Sequence, residues 1–198
     1  VTRAIFVRHA EPDERVRGCA YGRLDVPLSP AGRAHAEALA SILAPQAPTA
    51  IYISPLVRAR DTAQPLADAL ELDAVVCNDL RELDFGELEG LAIAEVVARF
   101  PAQAGWITAP AAATFPGGES VAAVRARVLA ALGEIVARHA DETIAIIAHS
   151  VPIRVVLADA LGLDLDSLFR FDLSYGGISV VEWHDDLPFV RVVNAPRL

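Results

Sequence analysis

The chain has 198 residues, 54% of them apolar and 22% charged, which is enough for one sizeable core and unlike a disordered composition. A formal net charge of −9 argues against a nucleic-acid backbone as partner, and because all 17 basic residues are arginine there is no lysine for a Walker-type phosphate loop or a Schiff base. No apolar stretch approaches membrane-spanning length.

The first element is a β-branched and aromatic run, Arg3 to Val7, that stops at Arg8-His9. In open α/β sheets ligands collect outside the carboxyl ends of the strands, so an Arg-His pair at such an end is placed for chemistry. A polar loop from Glu11 to Leu28 follows, carrying Arg15, Arg17, Tyr21, Gly22 and Arg23. Its arginines either hold an anion or face water. Ser29-Pro30 then predicts a helix start, with serine as N-cap and proline at the first helical position, and Pro45 with Pro48 closes the segment.

Ala50 to Ile53 reads as a second buried strand, and Ser54-Pro55 predicts another helix immediately after it. Arg58 falls in that helix's first turn, where free backbone N–H groups already favour an anion. Ala74 to Cys77 is a third strand, and Glu82 to Gly90 an acidic turn whose carboxylates offer a proton donor if one turns into an arginine-rich pocket. A helical piece, Leu91 to Phe100, precedes an irregular stretch, 101–118, holding Trp106 and Phe115; segment 91–118 is expected to be a lid. Beyond a long amphipathic helix from Ser120, Thr143 to Ala148 is the most strand-like run, ending at His149-Ser150. Residues 178–183 and 189–193 read as a closing hairpin.

Strands alternating with helices imply a parallel sheet that brings Arg8-His9, Arg58 and His149 to one edge. Two arginines and two histidines around one crevice suit a phosphoryl group. Guanidinium forks match its non-bridging oxygens, and a histidine kept neutral by nearby positive charge can attack phosphorus. No metal is expected, since there is no His-Glu-x-x-His or paired-aspartate spacing, and no cofactor is called for. The two cysteines do not begin a cysteine-phosphatase loop, because the sixth residue after Cys19 is Asp25 and after Cys77 is Leu83. Few cysteines and no leader sequence lead us to expect a cytoplasmic protein.

Arg8-His9-Ala10-Glu11 resembles the Arg-His-Gly-Glu signature of the histidine phosphatase superfamily, or phosphoglycerate mutase-like family. The likeness extends through Gly22 to Ser29, Ser54-Pro55-Leu56 with Arg58-Ala59, Glu82 to Gly90, Pro116 to Ser120, and His149. It implies a single domain over 1–198 with a three-layer α/β/α fold and a mostly parallel central sheet. His9 would be the phosphorylated nucleophile, Arg8, Arg58 and His149 the phosphate pocket, and Glu82 the proton donor. Arg15, Tyr21, Gly22 and Ser150 would lie on the substrate side. Ala10, Pro12, Arg15 and Ser150 depart from the family's glycine, threonine, asparagine and glycine. The expected activity is hydrolysis of a small phosphomonoester, with α-ribazole phosphate, phosphoserine and sugar phosphates as candidates. The alternatives are a mutase-type isomerase and a non-catalytic phosphate-ester binding module. The mutase branch uses extra basic residues in the lid, whereas Leu91 to Gly118 contains only Arg99.

Overall fold

A computed structural model describes residues 1–198 throughout. In chain order the elements are β1 (Thr2–Arg8), α1 (Pro30–Leu43), β2 (Ala50–Ile53), α2 (Val57–Leu70), β3 (Ala74–Val76), α3 (Ile93–Arg99), α4 (Pro101–Ala104), α5 (Val121–Arg138), β4 (Thr143–Ala148), α6 (Ser150–Ala160), β5 (Ile178–His184) and β6 (Leu187–Ala195). Six strands form one sheet in the order β3-β2-β4-β1-β5-β6. β1, β2, β3 and β4 run parallel, and β5 lies antiparallel to both β1 and β6.

The central strands read as unbroken apolar runs because both faces of the sheet are covered. Side chains alternate across a strand, so Ala4 and Phe6 of β1 with Ile144, Ile146 and Ala148 of β4 join one core with α5 and α6. Ile5, Val7, Ala145 and Ile147 join the other with α1 and α2. Helices on both faces make the three layers that the alternating pattern predicts.

Register decides where the chemistry falls. Arg8 pairs with Ala148, and Ile53 with Ile147, so β1, β2 and β4 end nearly level. One residue beyond these ends stand His9, Ser54 and His149, and the His9 N–H donates to the Ala148 carbonyl at 2.9 Å.

Three local expectations shift. Helix α2 begins at Val57, not at Ser54, because the Ser54 hydroxyl is engaged by His149 and the Val57 N–H is capped from a distance by Asp25 at 2.7 Å. Segment 101–118 is not irregular throughout: it holds α4 and 3-10 turns at Trp106–Thr108 and Pro110–Ala112, nucleated by Pro101 and Pro110. The hairpin turn tightens to Asp185-Asp186, with Asp185 at φ +55°. No helix is long and apolar enough to cross a membrane.

Candidate active site

His9 is 1% exposed at the end of β1, and its Nδ1 lies 2.8 Å from the Ala10 carbonyl. A carbonyl only accepts, so Nδ1 carries the proton and Nε2 keeps its lone pair. The His149 ring lies 5.1 Å away, centroid to centroid. Its Nε2 is 2.6 Å from the Ser54 hydroxyl, which already accepts from the Leu56 N–H. When the Ser54 hydroxyl gives its proton to Nε2, the neutral ring carries its own proton on Nδ1. Burial first, and then the Arg58 charge, holds both imidazoles well below the ordinary histidine pKa.

Arg58 is fully buried, donating from Nη1 to Leu24 O and from Nη2 to Gly22 O, each at 2.7 Å. Arg8 donates from Nη1 to Leu173 O at 2.5 Å and lies 4.1 Å from the Tyr175 ring centroid. Three buried nitrogens then lack any partner: Arg8 Nε, Arg58 Nε and His149 Nδ1. An unmet buried donor costs about 1–3 kcal/mol, more when charged. All three flank His9; the two guanidinium nitrogens are donors, and so is His149 Nδ1 when Nε2 takes the Ser54 proton, so an anionic acceptor is the complementary ligand.

Glu82 is 7% exposed, and burial pushes its carboxyl above the usual range despite N–H groups on both oxygens. Oε1 accepts from Leu83 and Val151, and Oε2 from Ser150 at 3.0 Å, which ties the carboxyl to the start of α6 beside His149.

These shifts set a pH dependence for stability. The histidines' folded pKa lies below the unfolded value near 6.5, so stability is complete above 6.5 and is lost as pH falls through it. Glu82, raised above 4.5, works in the opposite sense, losing stability as pH rises towards its folded value. Two histidines outweigh one glutamate. The thermal unfolding midpoint is expected to drop from pH 7.5 to 5.5, with a shallower slope in His149→Asn; a flat or rising midpoint contradicts the assignment.

The remaining expected residues divide. Tyr21 donates to or accepts from Tyr175 at 2.6 Å, and its ring lies 5.3 Å from the Arg58 guanidinium. Burial raises its pKa, keeping the phenol neutral. Gly22 is required by close approach, since a Cβ there would stand 1.7 Å from Leu83 O. Ser150 gives its N–H to Glu82, and its hydroxyl accepts from Arg154 Nε at 3.1 Å. Arg15 is turned outward, 60% exposed and paired with Asp13 at 3.5 Å, so its guanidinium is not part of this buried cluster. The extra methyl of Ala10 packs with Leu28 and Ala36.

Four residues not singled out from the sequence hold the cluster in place. Tyr175 packs on both Arg8 and His9, its ring 5.5 Å from the imidazole. Glu89 accepts N–H groups from Gly22, Arg23, Leu24 and Phe85, fixing the loop whose carbonyls orient Arg58. Arg127 forks onto Glu119 with two bonds of 2.9 Å and donates to the carbonyls of Arg81 and Glu82, bracketing the acid. The acidic turn Glu87-Leu88-Glu89 and the Pro116 to Ser120 block that contains Glu119 are the local hints of these contacts.

Beside Arg8 and Glu82 opens a cavity of ≈ 250 Å³ lined mainly by apolar side chains, Trp106 among them. Phe115, the other aromatic residue of the segment expected to be a lid, does not line this cavity but is buried edge-on to Phe85 and Trp106. The largest cavity, ≈ 620 Å³, surrounds Val1 and Thr2 at the far end of β1, and its ionisable side chains are four aspartates, the wrong charge for a phosphoryl group. No group of three or more His, Cys, Asp or Glu is gathered where it could hold a metal ion.

A neutral, tautomer-fixed histidine among unmet cationic donors, at the carboxyl edge of an α/β sheet, defines a phosphoryl-handling enzyme. Residues 4–196 match the sequence profile of the histidine phosphatase superfamily (branch 1), and the chain belongs to that family. It is a phosphomonoesterase of that family, acting on a small phosphorylated molecule. Phosphoserine phosphatase 1 of Hydrogenobacter thermophilus is 33% identical over 186 residues, covering 93% of this chain and 88% of that protein. A bifunctional protein of Mycobacterium tuberculosis is 35% identical over 196 residues, and the chain spans about half (54%) of its length. The mycobacterial glucosyl-3-phosphoglycerate phosphatase in complex with VO3 superposes with a TM-score of 0.90 at 30% identity, over 98% of this chain and 100% of that one.

Proposed function

We propose that the protein hydrolyses a small phosphomonoester through a phosphohistidine on His9. The observation that carries this reading is the set of unmet buried donors, Arg8 Nε, Arg58 Nε and His149 Nδ1, around an imidazole whose Nε2 lone pair is free. Nε2 attacks phosphorus while the bond to the leaving oxygen breaks and Glu82 passes its proton to the departing alcohol. Water then attacks the phosphohistidine, its proton goes to the Glu82 carboxylate, and the P–N bond breaks to release orthophosphate. Arginine forks stabilise the equatorial oxygens in both steps.

In this reading residues 1–198 are one domain and 91–118 is its lid, supported by Ile93, Val97 and Trp106 lining the cavity. Relatives are named for phosphoserine and glucosyl-3-phosphoglycerate, so esters that carry a carboxylate are the comparison a substrate panel for this site needs. A mutase must retain its phosphorylated acid during reorientation, yet the one lid arginine, Arg99, lies 5.5 Å over Phe100 at the end of α3. With p-nitrophenyl phosphate, one orthophosphate is expected per alcohol released, with no interconversion of 2- and 3-phosphoglycerate. Interconversion without release would make it a mutase, and neither reaction would leave a binding module.

A further inference from the structure

Resting on the phosphomonoesterase reading, we propose that the alcohol this site releases is uncharged and apolar, an aromatic or bulky aliphatic group, and carries no carboxylate. The cavity of ≈ 250 Å³ begins at Arg8 and Glu82, so whatever leaves phosphorus on the Glu82 side enters it. Of its 17 lining residues 13 are hydrophobic, and Arg8 is the one cation among them. Arg8 is oriented by Leu173 O and Tyr175 and has its Nε reserved for the phosphoryl group. A second anionic group on the substrate would therefore be stripped of water without a counter-charge, and beside the Glu82 carboxyl.

A further guanidinium beside the wall, that of Arg154, is occupied. Arg154 lies 4.8 Å behind the Phe169 ring and donates to the Ser150 hydroxyl and to the carbonyls of Leu168 and Phe171. The aromatic wall is closely packed as well as apolar, with Trp106 edge-on to Phe169 at 4.9 Å and to Phe85 at 5.6 Å. At the rim, Ile93, Val97 and Ile107 line the cavity yet remain 54%, 54% and 50% exposed. Three large apolar side chains half in water around one opening are surface that an apolar leaving group would cover.

The test compares kcat/KM for 2-phenylethyl phosphate, O-phosphoserine, 3-phosphoglycerate and glycerol 3-phosphate. All are esters of primary alcohols, so leaving-group acidity does not decide the order. The phenylethyl ester is expected to exceed both carboxylate-bearing esters by about 10²-fold, a ratio in the range where mismatched polarity discriminates. Val97→Arg places a cation on the exposed rim at a helical position that arginine suits better than valine. It is expected to reduce that ratio about tenfold through KM, with inhibition by orthophosphate unchanged; Ile107→Arg reads the same effect from a 3-10 turn if Val97→Arg folds poorly. Phosphoserine or 3-phosphoglycerate turning over as fast as the phenylethyl ester overturns the inference and leaves the phosphatase reading standing. Release of phosphate from none of the four, nor from p-nitrophenyl phosphate, removes both.

Discussion

Replacing His9 with alanine is expected to lower kcat on any phosphomonoester by about 10⁴-fold or more, because no other group can take over the attack on phosphorus. His149 is the imidazole whose ring lies beside that of His9, 5.1 Å away, and its network works against that role. Its Nε2 is taken up by the Ser54 hydroxyl at 2.6 Å, and with the Ser54 proton on Nε2 its unpartnered Nδ1 offers a donor where His9 offers a lone pair. Acid-labile, base-stable radiolabelled phosphate should be trapped on the wild-type protein and on His149→Asn, more slowly on the latter, and not on His9→Ala. The charge environment supports this division. Burial and Arg58 keep His9 neutral, and in the proposed mechanism the same cation binds the phosphoryl group that His9 receives. Label on His9→Ala equal to wild type would move the nucleophile elsewhere.

The sequence points to the groups proposed to react because each sits at the end of a local signal. The apolar runs of β1 and β4 are unmistakable, and the residue after each strand faces the crevice by register, so His9 and His149 could be placed from position alone. Arg58 followed from the strand-to-helix junction, even though the helix starts three residues later than Ser54. Long-range support left no such mark. Tyr175 reaches His9 across 166 positions because the Gly176 N–H bonds back to the Arg8 and His9 carbonyls, a link that no periodicity announces. Arg127 reads as one more polar residue on a helix, yet it is the fork that holds Glu119 and the Glu82 backbone. Arg15 shows the converse. The resemblance puts it on the substrate side, and it stands 60% exposed beside Asp13 at 3.5 Å, outside the buried cluster.

These supports make Glu82 the most demanding group to assemble and the second most consequential to remove. Glu82→Gln is expected to lower kcat/KM for an alkyl phosphate by about 10²–10⁴-fold, the usual contribution of a positioned proton donor. An activated aryl ester should lose far less in this step, because p-nitrophenolate leaves without a proton. Dephosphorylation still needs a base, however, so with p-nitrophenyl phosphate the variant should give a burst of one alcohol per enzyme followed by slow turnover. The pH profile has a fixed sign. Phosphorylation needs Glu82 protonated, so wild-type kcat/KM falls on the alkaline side of its raised pKa, and this limb disappears in Glu82→Gln. Substrate strengthens the effect, since a phosphate dianion on Arg8 and Arg58 offsets the charges that pull the Glu82 pKa down and so loads the proton when it is needed. Equal losses for alkyl and aryl esters, with no burst, would show that Glu82 only shapes the pocket and that the leaving oxygen takes its proton from another source.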